Sequence, residues 1–482
     1  MAEPVDRAVL RRFLLGLAEG MNAARASVEQ TRETMGRVAR AYGEGGTDFV
    51  VLPTLILVQT GDGDERRLSM RSATTANFRF DQVDALYRLI ASAERGGIDP
   101  AAGIRRLNEI GAMRPHFGWV LRTLGHAILT AGLALMLVPS WQSLAIAAVL
   151  GGLLGALKLV RSQALQLVLP VVAAFVSALA VFLIALHFPV GDPIRVLIAP
   201  LATFLPGALL TTGTMELAEK QMVAGASRLM MGLVQLALLA FGIIAAGTIV
   251  GVADDSYEPA KGAAQLPWWV PVIGVVLYAV GTYLHHSAPA RTFGWVLLVL
   301  LVAYAAQTLG SLAGAAVSGF VGALAMTPLV LWISGLPRGV PSQLTFLPGF
   351  SLLVPGSAGV IGLTSAVGAA GGLGDFAAAM VSVMSIALGV LIGTALFRVA
   401  RTGAEELFHI DMPAEGPPHP WQRLATAFSR PFLGRRRRRR LRLIGNSQQG
   451  RSGSAPSGAP PADSEGAAPA AGPGIHSPED AR

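Results

Sequence analysis

The pentapeptide Thr-Phe-Leu-Pro-Gly occurs twice, at Thr203–Gly207 and at Thr345–Gly349, each time inside strongly apolar sequence. Proline removes a hydrogen bond from a helix and clashes with the preceding turn. A helix broken within a bilayer bares N–H and C=O groups, which is tolerable only where they face protein or a water-filled cavity. The chemistry such a break offers is binding: half-helix N-termini can hold a carboxylate, and freed carbonyls can hold an ammonium group or a cation. Two copies of so disruptive a sequence predict a paired polar site, at Thr203, Pro206 and Gly207 and at Thr345, Pro348 and Gly349. A lone Pro-Gly would more often be a packing kink.

Hydroxyl groups follow both copies. Thr211, Thr212 and Thr214 come after the first; Ser351, a second Pro355-Gly356 pair and Ser357 come after the second. They could hydrogen-bond a small polar solute, or each could simply satisfy its own helix backbone, as Ser and Thr commonly do in membrane helices. Ionisable residues near a membrane are candidates for carrying a coupled proton. Glu216 is one, with an ordinary interfacial carboxylate as the alternative. His126, one helical turn from Arg122, is the other, with a hydrogen-bonded packing residue as the alternative. Gln235 and Gln307 either line the path or bond neighbouring helices.

Other chemistries find no support. Cysteine is absent, which excludes disulfides, thiol catalysis and thiolate metal sites. The three lysines, Lys158, Lys220 and Lys261, lack the glycine and Ser/Thr flanks of a phosphate-binding loop. Uphill transport would therefore draw on an ion gradient or on a separate subunit. There is no H-E-x-x-H, no G-x-S-x-G and no dense His/Asp/Glu cluster of metal-ligand spacing, so neither an enzyme, a metal nor a cofactor is expected. A passive channel, and an enzyme or sensor housed in residues 1–117, are the competing readings.

The elements that must position these residues are membrane helices. Of 482 residues 52% are hydrophobic and only 14% charged, too few charges for a soluble chain of this length. The apolar residues gather between Trp119 and Ala400 in runs of bilayer-spanning length. Ten spans fit, at about 119–138, 143–160, 165–186, 194–212, 228–251, 268–285, 291–308, 312–333, 343–364 and 376–397. With residues 1–117 inside, Lys158, Arg161, Lys220, Arg228, Arg291, Arg338, Arg398 and Arg401 fall on inner loops. Asp192, Asp254, Asp255, Glu258 and Asp375 fall outside, with Arg195 and Lys261 the basic exceptions. That pattern puts both termini in the cytoplasm. The pentapeptides then lie in the fourth and ninth spans, the fourth helix of each five-helix half. Because five is odd, the second half enters the bilayer inverted, the plan of many secondary transporters.

The expected fold is thus an all-α polytopic membrane protein of two inverted five-helix repeats, 118–256 and 257–401. Residues 1–117 precede it as a cytoplasmic α+β domain: a long amphipathic helix, a hairpin around Gly61–Gly63, and helices near 81–95 and 100–113, separated by a stop and a cap in "GGID". Residues 402–482 read as a disordered basic and Pro-rich tail. Its Arg435–Arg440 run suits anionic lipid headgroups better than nucleic acid. Homo-oligomerisation is compatible with the sequence.

At these residues the chain resembles the bacterial threonine/serine exporters. The likeness rests on Gly20 and Val28-Glu29 in the amino-terminal region, and on "LTTGTMELAEKQMVAGASRL" after the first Pro-Gly, with Leu210-Thr211, Glu216-Leu217 and Gly225 to Leu229. It also rests on "FLPGFSLLVPG" in the second half. It covers about residues 8 to 400 and leaves out the tail. The resemblance implies efflux of L-threonine and L-serine driven by the proton motive force across the bacterial inner membrane, with dicarboxylates or other small metabolites as the alternative cargo.

Overall fold

A computed structural model describes residues 6–61, 67–73, 77–137, 140–160, 163–188, 190, 193–251, 267, 269–353 and 373–402. The amino-terminal stretch expected as one long helix forms two, α1 (Arg7–Ala23) and α2 (Val28–Ala41). The interruption is local: the Ser27 hydroxyl accepts the Gln30 N–H and caps α2. Just before it, Arg25 takes a left-handed backbone with φ 60°, a conformation that ends a helix and is uncommon outside Gly and Asn. A serine followed three residues later by glutamine is a helix-start signature, overridden in the sequence reading by the continuous apolar periodicity.

Strands β1 (Asp48–Val51), β2 (Leu55–Thr60) and β3 (Arg67–Ser72) form an antiparallel sheet in that order. Pairing of β2 with β3 brackets the expected hairpin turn. Ile56, Val58 and Thr60 alternate toward α1 and are buried, the period-two pattern of a sheet with one covered face. Helices α3 (Phe80–Ala93) and α4 (Pro100–Ala112) follow. As the sequence predicts, Gly96 turns the chain with φ 64° and Asp99 caps α4 by accepting the Ala102 N–H at 3.0 Å.

Beyond Trp119 the described residues are almost wholly helical: α5 (Trp119–Leu137), α6 (Trp141–Leu157), α7 (Gln163–Ala185), α8 (Pro193–Leu201), a 3-10 turn (Ala202–Phe204), α9 (Gly207–Ala218), α10 (Met222–Val250), α11 (Val270–His285), α12 (Ala290–Ser311), α13 (Ala315–Ser334), α14 (Ser342–Leu353) and α15 (Leu373–Thr402). Six of these are long and apolar enough to cross a membrane. The α8–α9 pair, bent by 68°, makes a seventh, while α6 and α11 are apolar but shorter. The chain is a mostly helical, multi-pass membrane protein.

Its packing repeats. α7 lies on α10 as α13 lies on α15, and α6 meets α8 as α12 meets α14. In the first pair a Cβ on Gly242 would come within 2.7 Å of the Val171 carbonyl; in the second, one on Gly389 would come within 2.5 Å of the Phe320 carbonyl. Small residues that let backbones touch are the usual glue between membrane helices. α5 and α11 run antiparallel along each other, with Gly125 against His285, Gly281 against Leu129, and Gly132 against Gly274.

The two pentapeptides do not break the chain equally. In the first copy α8 contains Pro200, the chain tightens into the 3-10 turn, and Leu205 is extended (φ −67°, ψ 131°) before Pro206 leads into α9. In the second copy α14 continues straight through Pro348 and Gly349, which corrects the expectation of a matching break. The pentapeptides are 142 positions apart (345 minus 203), so the position equivalent to Pro200 is Ser342. Over the equivalent described stretch the first copy thus loses two helical hydrogen bonds in close succession and the second only one, which α14 tolerates. Pro355, Gly356, Ser357 and Arg435–Arg440 lie outside the described residues.

Candidate functional site

The two copies nonetheless meet. Thr203 and Leu205 of the first, with Leu347 and Pro348 of the second, line one cavity of about 150 Å³, closed on a further side by Arg25, Asn77 and Phe80 from the amino-terminal elements. α9 and α14 are in contact beside it. Pro206 and Gly207 do not line the cavity, although their neighbours Leu205 and Ala208 do.

Thr203 and His126 were separate candidates and are hydrogen-bonded to each other. His126 Nδ1 lies 2.5 Å from the Gly151 carbonyl and Nε2 lies 2.8 Å from the Thr203 hydroxyl. A carbonyl only accepts, so Nδ1 carries the proton, Nε2 accepts, and the Thr203 hydroxyl donates. His126 is fully buried, and its ring sits 4.7 Å from His285, which is 4.9 Å from His286. His286 lines the cavity and stacks on Phe80 at 4.7 Å. Just past the end of α11, burial first, then the nearby His285, Lys158 and Arg25, holds its imidazole well below the usual histidine range.

The other hydroxyls divide. Thr214 bonds the Leu210 carbonyl, Thr345 that of Ser342 and Ser351 that of Leu347, so each satisfies its own helix; of these only Ser351 also lines the cavity. Thr211 is buried with no partner for its hydroxyl, and Thr212 is half-buried. Gly349 packs against Met326, where a Cβ would come within 2.2 Å of the sulfur. Gln235 bonds the Phe204 carbonyl inside the break, and Gln307 reaches the Leu353 carbonyl at 3.5 Å.

Glu216 is held elsewhere. Fully buried, it pairs with Arg228 at 3.0 Å and accepts the Val28 N–H at 3.0 Å. Arg228 also reaches the Ala26 carbonyl at 3.4 Å. This ties the start of α2 to the α9–α10 hairpin, with Gln221 donating to Glu29 alongside at 3.1 Å. The Glu29 carboxyl, hydrogen-bonded first of all by Arg32, is held below the usual carboxylate range. The second half is tied to the same region: Gln343 donates to Gln30 at 2.6 Å, Arg291 pairs with Asp84, and the Phe80 N–H donates to the His286 carbonyl.

Sequence reasoning missed Arg25, Asn77, Tyr278 and Thr282 in the cavity wall, and met Lys158 only as an inner-loop charge. Tyr278 donates to the Pro348 carbonyl at 3.3 Å. Lys158 lies 3.4 Å from the Thr203 carbonyl and over the Phe204 ring. Its rarity among three lysines was the one available signal. Among the described residues no cluster could hold a metal ion.

Residues 12–250 match the family model described as "Putative threonine/serine exporter". Over 433 residues the chain is 26% identical to a "Probable threonine/serine exporter" of Mycobacterium tuberculosis, covering 83% of this chain and 79% of that protein. It is 23% identical to "Pheromone-regulated membrane protein 10" of Zygosaccharomyces rouxii, over 60% of this chain and 30% of the yeast protein. The protein of that name from Saccharomyces cerevisiae is 23% identical over 54% of this chain and 34% of its own length. None of these names is that of an enzyme. No solved structure matches.

Proposed function

From the premise that this chain, over residues 12–250, belongs to the threonine/serine exporter family, we propose that it is a secondary exporter of small amino acids, L-threonine and L-serine. The observation that carries this is the single cavity bounded by both pentapeptide copies. Transport sites of inverted-repeat carriers lie at the repeat interface. Repeat-related helix pairs (α7–α10 with α13–α15) and the antiparallel run of α5 and α11 support reading the helices from α5 to α15 as two inverted halves. Alternating access then rocks one half against the other around the cavity. Both termini are cytoplasmic, in the bacterial inner membrane.

The lysines offer no phosphate-binding loop, so the proton motive force is the proposed drive. His126 is the better of the two proton candidates, because it grips Thr203 at the cavity wall while Glu216 is engaged by Arg228 and Val28. A second reading, export of dicarboxylates, is favoured by the cavity's two cations, Arg25 and Lys158, and by the lack of a lining carboxylate among the described residues.

The test is efflux from cells preloaded with a threonine-containing dipeptide. Expression should lower intracellular threonine, and an uncoupler should abolish the effect. Unchanged threonine overturns the amino-acid reading, and efflux indifferent to the uncoupler converts the carrier into a passive pore.

A further inference from the structure

Two cations face the cavity, and no acid among the described residues pairs them. Arg25 is exposed there; it donates to the Asn77 side-chain oxygen at 3.1 Å, and no carboxylate among the described residues pairs it. Among the described residues Lys158 reaches only the Thr203 carbonyl and the Phe204 ring. Nearby Arg228 is already neutralised by Glu216. The wall also contains Thr282, which is 2% exposed and lines the cavity; its hydroxyl makes no close hydrogen bond and faces the neighbouring Tyr278 hydroxyl. Buried polar groups are normally satisfied, so an under-bonded hydroxyl beside two cations that no described carboxylate pairs makes a site suited to an anionic acceptor.

Resting on the reading of this cavity as the transport site, we infer that Arg25 and Lys158 form a carboxylate clamp. The amino-terminal domain thereby contributes a ligand of its own to the solute. A guanidinium and an ammonium supply charge-assisted hydrogen bonds to a carboxylate, roughly twice as strong as neutral ones. Thr282 adds a hydroxyl donor. Among the described residues no lining carboxylate opposes the anion, so recognition falls mainly on the acid end of the solute, and its amino end meets hydroxyls such as Ser351 and Tyr278.

The experiment uses the full-length protein, purified and reconstituted, with calorimetric binding of three probes: L-threonine, L-threoninamide, and a four-carbon dicarboxylate. Wild type is expected to bind at least one carboxylate probe and to bind threoninamide at least about tenfold more weakly, as loss of one charge-assisted contact implies. Lys158→Gln and Arg25→Asn should each lower carboxylate affinity about tenfold or more. Asparagine suits the left-handed backbone at position 25, and Arg25→Lys should recover part of the loss. Melting temperature and size-exclusion profile establish that each variant is folded.

If threoninamide binds as well as threonine, or if folded Arg25→Asn and Lys158→Gln proteins keep full affinity, the clamp is overturned while amino-acid export stands. If only the dicarboxylate binds, and does so through Arg25 and Lys158, the clamp stands and the amino-acid reading falls. If no carboxylate probe binds wild type, the clamp is overturned.

Discussion

Buried charge sets the sharpest expectations for single residues. Glu216→Ala strands Arg228 in a buried site, which should cost about 3–5 kcal/mol, whereas replacing both by methionine should recover most of that; thermal unfolding in detergent measures each. His286 gives a pH dependence with a defined sign. Its folded pKa lies below its unfolded value, so the unfolded chain binds the extra proton. Stability is full above the unfolded pKa of about 6.5 and is lost as pH falls below it. The melting temperature should therefore drop between about pH 7.5 and 5.5, and His286→Gln should flatten that slope. At this scale the sequence was legible where the residue was chemically rare in its surroundings. His126 and Thr203 stood out in apolar runs. Arg25 did not, because nothing local tells an arginine on an amphipathic helix from one turned into a cavity by a left-handed residue.

Prolines decide the behaviour of whole elements, and their number matters more than the pentapeptide they sit in. Pro200 and Pro206 together give the 68° bend between α8 and α9, whereas Pro348 alone leaves α14 helical. Each interior proline costs a helix about 3 kcal/mol. Pro200→Ala with Pro206→Ala should therefore join α8 to α9, raise the melting temperature and abolish efflux; Pro348→Ala should slow efflux without abolishing it. Helix contacts set a second expectation. A side chain on Gly281 would begin within 2.2 Å of the Leu129 nitrogen, so Gly281→Leu should force α5 from α11 and reduce the yield of folded protein, read by size-exclusion profile. The position and type of these helices were readable from apolar run length. The unequal breaks were not, because the matching motif drew attention from Pro200, which lies outside it.

Across the whole molecule, the amino-terminal elements hold both halves at once. α2 and its cap engage Glu216, Arg228 and Gln221 of the first half, while Gln30, Asp84 and Phe80 engage Gln343, Arg291 and His286 of the second. Under the proposed alternating access, rocking one half against the other would release one of these sets. A short bismaleimide joining Gln30→Cys to Gln343→Cys should therefore stop efflux from a carrier that is active before cross-linking. The sequence marked residues 1–117 as distinct by composition, but no periodicity reveals which surface such a region rests on. The absence of cysteine also permits the most direct test of the cavity as the transport site. Ser351→Cys places a unique thiol in its wall, to be labelled with a membrane-impermeant maleimide in inside-out vesicles of efflux-competent cells. Labelling should be slowed by saturating L-threonine; labelling at the same rate with and without threonine would contradict the account.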